Sequence, residues 1–133
     1  MLQLVASALI EPTKPIVVPG PGPDRDLSCI FEDDGVAGYF YALDLTKTDN
    51  RILDAVMIYS YTESNPKEVQ TELKILWKEG RDRCVLSLDG HPYALFDFET
   101  KTGYNVTGYP DAQPEKGWSR VGSTDPIIGL LRE

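Results

Sequence analysis

Two Asp-Gly dipeptides, Asp34-Gly35 and Asp89-Gly90, each stand between short apolar runs. Gly reaches positive φ without a Cβ clash, and Asp bonds its own backbone, so these are strong hairpin signals. Around them the apolar residues recur with a period of two. Tyr39, Tyr41 and Leu43 alternate with Phe40, Ala42 and Asp44, and Cys84, Leu86 and Leu88 alternate with Val85 and Ser87. A period of two belongs to strands, because successive side chains point to opposite faces. Short strands closed by tight turns limit the chain to antiparallel β architectures.

The strand segments follow in order. Residues 1–10 are apolar and form a strand or a short helix on the sheet, and Ile16-Val17-Val18 is a short strand. Pro19-Gly20-Pro21-Gly22-Pro23 ends it as a stiff surface loop without secondary structure. Ile30-Phe31 leads into the first hairpin, where Gly38 adds a second flexible point before the strand 38–45. The segment 51–60 is apolar on both faces apart from Asp54, which predicts a central strand covered on each side. Asp54 then needs a neighbouring Arg, a backbone partner or a solvated strand end.

Residues 66–78 carry two patterns. Asn65-Pro66-Lys67-Glu68 has the form of a helix start, whereas Val69, Thr71, Leu73, Ile75 and Trp77 alternate as in a strand. The strand template misplaces only Leu76 and is the preferred reading. Strands 83–88 and 93–98 follow. Beyond Glu99 the pattern fades into an irregular stretch whose Tyr104, Tyr109 and Trp118 are expected to lie against the sheet. Asp125-Pro126-Ile127-Ile128 reads as the start of a short C-terminal helix capped by Asp125.

The expected fold is a single domain, 1–133, mainly β: an antiparallel meander of about six or seven strands in a curved sheet or small sandwich, with a short C-terminal helix. Strands 38–45, 51–60, 69–78, 83–88 and 93–98 are expected to be sequential neighbours. The expected core is Leu43, Val56, Ile58, Leu73, Ile75, Leu86, Leu88 and Phe96.

Several of these segments resemble a known family. Phe31-Glu32-Asp33-Asp34-Gly35, Gly38-Tyr39-Phe40-Tyr41-Ala42-Leu43-Asp44, Ile52-Leu53-Asp54-Ala55 and Ile58-Tyr59 are similar to the bacterial domain-of-unknown-function family 2251. So are Trp77 with Gly80, the run from Gly90-His91-Pro92 through Tyr93-Ala94-Leu95-Phe96-Asp97-Phe98, and Gly103-Tyr104. The resemblance covers roughly residues 16 to 104. It implies a bacterial source and one compact domain, and transfers no activity and no site residue.

Charge narrows the function classes. The net charge is −8, and residues 28–50, with five acids and one lysine, hold half of it. Phosphate backbones and anionic membranes are repelled by such a surface, so neither nucleic acid nor membrane is an expected partner. No run reaches membrane-spanning length. Ala6 and Ala8 mimic a leader cleavage step but come too early and follow no basic region, so the expected compartment is cytoplasmic. Cys29 and Cys84 are expected to be buried, reduced thiols, although adjacent strands could pair them.

No catalytic, metal or cofactor set stands out. One histidine and two distant cysteines do not make a zinc site. Cys84 with His91 as a nucleophile pair, and Glu32, Asp54, Asp97 and Glu99 as a glycosidase pair, each have a plainer structural reading. Asn105-Val106-Thr107 is a glycosylation sequon that matters only in a eukaryotic secretory pathway.

Three function classes stay open. The first is a protein-binding module, resembling an immunity protein, whose face of Glu32, Asp33, Asp34, Tyr39 and Tyr41 meets a basic partner. In that reading the three acids form one solvated turn that can be changed together to Ser without loss of stability. The second is a small-ligand binder or minor enzyme with a pocket lined by Tyr39, Tyr41, Tyr59 and Trp77. The third is a homodimer whose edge strand pairs across a twofold.

Overall fold

A computed structural model describes every residue except Met1, Pro12, Arg25 and residues 62–69. Ten strands are seen among the described residues: β1 (Leu2–Ile10), β2 (Ile16–Pro21), β3 (Leu27–Asp33), β4 (Ala37–Asp44), β5 (Ile52–Ser60), β6 (Thr71–Lys78), β7 (Arg83–Leu88), β8 (His91–Asp97), β9 (Thr102–Asn105) and β10 (Ser119–Val121). Among the described residues one α-helix, α1 (Ile127–Arg132), follows, and a single 3-10 turn, Pro114–Lys116, lies before β10. The strands form two sheets, one in the order β1-β6-β7-β8-β9-β10 and one in the order β2-β3-β4-β5. All pairs are antiparallel except β9 with β10.

The fold is therefore mainly β and sandwich-like, but it is not a simple meander. β5 and β6 are consecutive in sequence and lie in different sheets. The chain crosses from one sheet to the other between them, and β6 pairs instead with β1, Ile10 opposite Thr71 and Leu2 opposite Lys78. Residues 1–10 are thus a strand. The helix-start reading of Asn65-Pro66-Lys67-Glu68, and the strand residue Val69, lie outside the described residues; from Thr71 onward the segment is strand.

The sheets share a core. Phe40 of β4 stacks on Phe96 of β8 at 5.0 Å, and Phe31, Val56, Leu73, Ile75, Trp77, Leu86 and the two thiols are buried with them. Cys29 and Cys84 are both free. Burial holds the Cys29 thiol well above its ordinary pKa, and the neighbouring Cys84 adds to the effect. Both thiols act here as small apolar groups.

Three expectations about the core change. First, β5 is an edge strand, not a central one; β7 is the strand covered on both sides, with all six residues buried. Cys84, Leu86 and Leu88 face the inter-sheet core, while Val85 faces a second cluster under α1 with Leu95 and Ile127. Second, Ile58 is only half-buried because a register shift between Gly38 and Tyr39 displaces it; the other seven expected core residues are buried. Third, Trp77 lies fully in the core, where its Nε1 donates to the Gly20 carbonyl at 3.0 Å.

The Pro-Gly-Pro run is a strand after all. β2 is a sheet edge, where a proline costs no ladder bond if its missing N–H faces outward. Gly20 between them is turned inward, where an added Cβ would sit 2.7 Å from Ile75 Cγ2. Gly38 likewise lies within β4 instead of loosening a loop, because the Tyr59 ring occupies the space a side chain would need.

Beyond Glu99 the irregular stretch holds β9, β10 and α1. Trp118 is buried, with edge contacts to Phe96 and Phe98. Tyr104 packs under α1, whereas the Tyr109 ring is exposed and its carbonyl accepts from Met57 N at 3.0 Å. Asp125 does not cap α1; the cap position is Pro126, and no side chain bonds there. Arg83 holds the helix instead, donating from Nη1 to the Leu130 carbonyl at 2.8 Å and reaching Glu133 at 2.7 Å.

Candidate functional site

The first hairpin places the acidic run and the tyrosines. Cross-strand register aligns Val17, Glu32, Tyr39 and Met57 in one row across β2–β5, and Pro19, Ile30, Tyr41 and Ala55 in the next. Residues between them in sequence, Val18, Phe31, Phe40 and Val56, are buried in the core. The two rows therefore form the outward face of the four-stranded sheet. Ile30, Tyr39, Tyr41, Ala55 and Met57 belong to neither core cluster and are half-buried; Val17 is 58% exposed.

Glu32 is the one charged residue among these eight. Tyr39 and Tyr41 stack with ring centroids 6.2 Å apart, and Tyr41 Oη donates to Glu32 Oε1 at 3.4 Å. Partial burial, and then the Glu32 carboxylate, raise the Tyr41 pKa. Both rings present broad, amphipathic surface, the kind enriched at protein interfaces.

Asp34 stands at the end of this face in the β3–β4 turn. It is exposed, yet its Oδ1 accepts from Val36 N at 2.8 Å and Ala37 N at 2.9 Å. The Ala37 N–H, then that of Val36, holds its pKa below the ordinary value. The carboxylate therefore ties the turn while adding negative charge to the rim.

Asp33 departs from the expected face. It is 1% exposed and points inward. Its Oδ2 accepts from Tyr59 Oη at 2.6 Å and Tyr61 Oη at 2.9 Å, and its Oδ1 from Gly35 N at 2.8 Å. Burial, then the bond to Asp33, drives the Tyr59 pKa far above that of a free phenol. Asp33 is a structural acid, and replacing all three acids by Ser would unmake its network. Sequence parity held the signal: Glu32 and Asp33 are adjacent in one strand and must face opposite sides.

The pocket expected from Tyr39, Tyr41, Tyr59 and Trp77 does not form. Two of these rings face outward, Tyr59 turns to Asp33, and Trp77 lies in the core. An open groove lies elsewhere, lined by His91, Pro92, Tyr93, Val106, Thr124, Asp125 and Ile128. The other pairings considered from sequence are also separated. Cys84 is buried opposite Phe96, while His91 is exposed opposite Leu88, roughly 13 Å along the ladder at four strand residues.

Asp54 and Asp97 are engaged by arginines and do not form a carboxylate pair with each other. Arg120 grips Asp54 through Nη1–Oδ2 at 2.5 Å and Nη2–Oδ1 at 2.6 Å, and also donates to the Ala55 and Pro110 carbonyls. Arg83 Nε meets Asp97 Oδ2 at 3.0 Å. Of the alternatives open for Asp54, the arginine partner is the one present, and it ties β10 to β5 across the two sheets. Among the described residues no three His, Cys, Asp or Glu side chains gather to hold a metal, and no helix is long and apolar enough to cross a membrane.

The sequence falls in a recognised bacterial group. The chain belongs to the DUF2251 family, described as uncharacterized proteins conserved in bacteria, whose model matches residues 10–128. The match reaches further toward both ends than the segments that carried the resemblance. A relative named only "Uncharacterized protein" from Haemophilus influenzae (strain ATCC 51907 / DSM 11121 / KW20 / Rd) is 36% identical over 91 residues. The aligned part is 68% of this chain and 56% of that relative, so the chain spans little more than half the relative's length. No solved structure matches the chain.

Proposed function

We propose that this chain is a cytoplasmic protein-binding module, used in the manner of an immunity-type inhibitor, and that it takes a basic protein on the outward face of the β2–β5 sheet. One observation supports this above others. Two full rows of that sheet present apolar and aromatic side chains outside both core clusters, with Glu32 among them and Asp34 at the rim. A cationic side chain over Tyr39 or Tyr41 would gain from the ring face and from the carboxylates together. The charge would speed encounter and the tyrosines would hold the complex. The two buried free thiols support a reducing compartment.

The test compares wild type with a variant carrying Glu32→Gln, Asp34→Asn, Tyr39→Ser and Tyr41→Ser. The Asp34→Asn change keeps a side-chain oxygen for the Val36 and Ala37 amides, so the turn survives. Partners captured from a bacterial lysate by wild type are identified, and binding kinetics are followed against salt. The variant is expected to capture the partner more slowly at low salt, with the difference in association rate shrinking as salt rises, and to release it faster at all salts. Equal rates for both proteins would place the interface elsewhere.

A further inference from the structure

Among the described residues the two sheets end in four edge strands, and three of them are protected. β2 carries Pro19 and Pro21, which supply no N–H to an incoming strand. β5 is engaged from the side, with Met57 N bonded to the Tyr109 carbonyl and the Ile52 carbonyl bonded to Lys116 Nζ. β10 is three residues long. Among the described residues β1 has none of these devices. It runs for nine residues without a proline or a charge, and among the described residues its only ladder is with β6. Its one irregularity, a register shift between Leu4 and Ala6, leaves Ala6–Ile10 in unbroken register with β6. Leu4 and Leu9 are 52% and 61% exposed.

We infer that β1 pairs antiparallel with β1 of a second copy of this chain across a twofold, joining two six-stranded sheets into one. Charge selects this occupant. A molecule of net charge −8 repels its own copies over most of its surface, and an uncharged strand is where two copies meet at least electrostatic cost. Antiparallel pairing about a twofold lays this neutral sequence against itself, so no like charges face each other within the ladder. A basic partner would find no carboxylate on β1 to favour it. Main-chain groups along Ala6–Ile10 that are not laddered to β6 supply the affinity, as in other strand additions, and Leu4 and Leu9 add apolar area. This interface is separate from the β2–β5 face.

The test is sedimentation equilibrium of the full chain up to about 100 μM, where a dimer with Kd near 10 μM would be mostly assembled. Ser7 is exposed one residue from the midpoint of Ala6–Ile10, so Ser7→Glu and Ser7→Lys place like charges near the twofold. Each variant alone is expected to dimerise at least about tenfold more weakly, and an equimolar mixture to recover a heterodimer. Wild-type association should persist in high salt, unlike acid-driven binding at the other face. Circular dichroism and melting of both variants establish that they are folded. A monomeric wild type would overturn the proposal. So would folded Ser7 variants that each self-associate like wild type, or a mixture no more associated than its parts.

Discussion

On the outside of the six-stranded sheet, Leu76, Val85, Leu95 and Tyr104 lie under Ile127, Leu130 and Leu131 of the C-terminal helix. On the outside of the four-stranded sheet, Ile30, Tyr39, Tyr41 and Met57 lie outside both core clusters. Both faces are apolar. One is closed by a helix of six residues whose position Arg83 fixes, and the other is left as surface with a carboxylate at its centre. Apolar patterning therefore marks both faces alike without saying which of them the chain itself covers. A sheet face closed from within is part of the stability of the fold; one that is not is available for a partner.

The largest effect separating the two faces is expected at Arg83. It is nearly buried and serves Asp97, Leu130 and Glu133 at once. Arg83→Met leaves the buried Asp97 without its cation and frees the helix, and should cost about 3–5 kcal/mol. Urea unfolding measures this, and a loss under about 1 kcal/mol would mean that α1 is not held by this contact.

A middle effect is expected on the inward side of the open sheet. Tyr59→Phe removes one of the two phenol donors to Asp33 and should cost about 1–3 kcal/mol at neutral pH. The pH dependence has a definite sign. The folded Tyr59 pKa is raised above the ordinary phenol value of 10.0, so the stabilisation is complete below pH 10 and is lost as pH rises beyond it, when the unfolded chain ionises first. Thermal melts across that range should fall more steeply for wild type than for the variant. Parallel curves would remove Tyr59 as the titrating group.

The smallest effect is expected at the rim. The folded Asp34 pKa is lowered from its ordinary 3.8, so its contribution is present above that pH and is lost as pH falls below it. Asp34→Asn keeps an acceptor for the turn but no longer titrates. Its melting temperature near neutrality should match wild type closely, and its acid limb should be flatter. A large loss at neutrality would show that the charge itself is needed to fold the hairpin, which would make this face less free for binding than proposed.

The hairpins β3–β4 and β7–β8 were legible because their turns and alternation are local. That Tyr39 and Tyr41 share a face opposite Phe40 was legible by parity; that this face is the outward one was not, since parity put the core residue Leu43 on it too, and a register shift between Ala42 and Leu43 separates them. The partnering of β1 with β6 was not legible, because alternation reports which way a side chain points and not which strand lies beside it. β5 shows the cost of that gap. Its two apolar faces suggested burial between layers, whereas one faces the core and the other, through Ala55 and Met57, extends the open face. The same residues that misled about position were the signal for the site. β9 and β10 escaped notice because they are short and are held by main-chain bonds and by Arg120, which sits 66 residues from Asp54.

The pairing of β1 with β6 also has a consequence in time. Ile10 waits for Thr71 and Leu2 for Lys78, a separation of 61 to 76 residues. At about 5–20 residues per second, synthesis of the intervening chain takes roughly 3–15 s. The β3–β4–β5 hairpins can close within that interval, since their partners are adjacent in sequence. Leu2–Ile10 cannot. It is made well before β6, so on a crowded polysome this chain offers its neighbours, for that interval, an uncharged strand still waiting for its own partner.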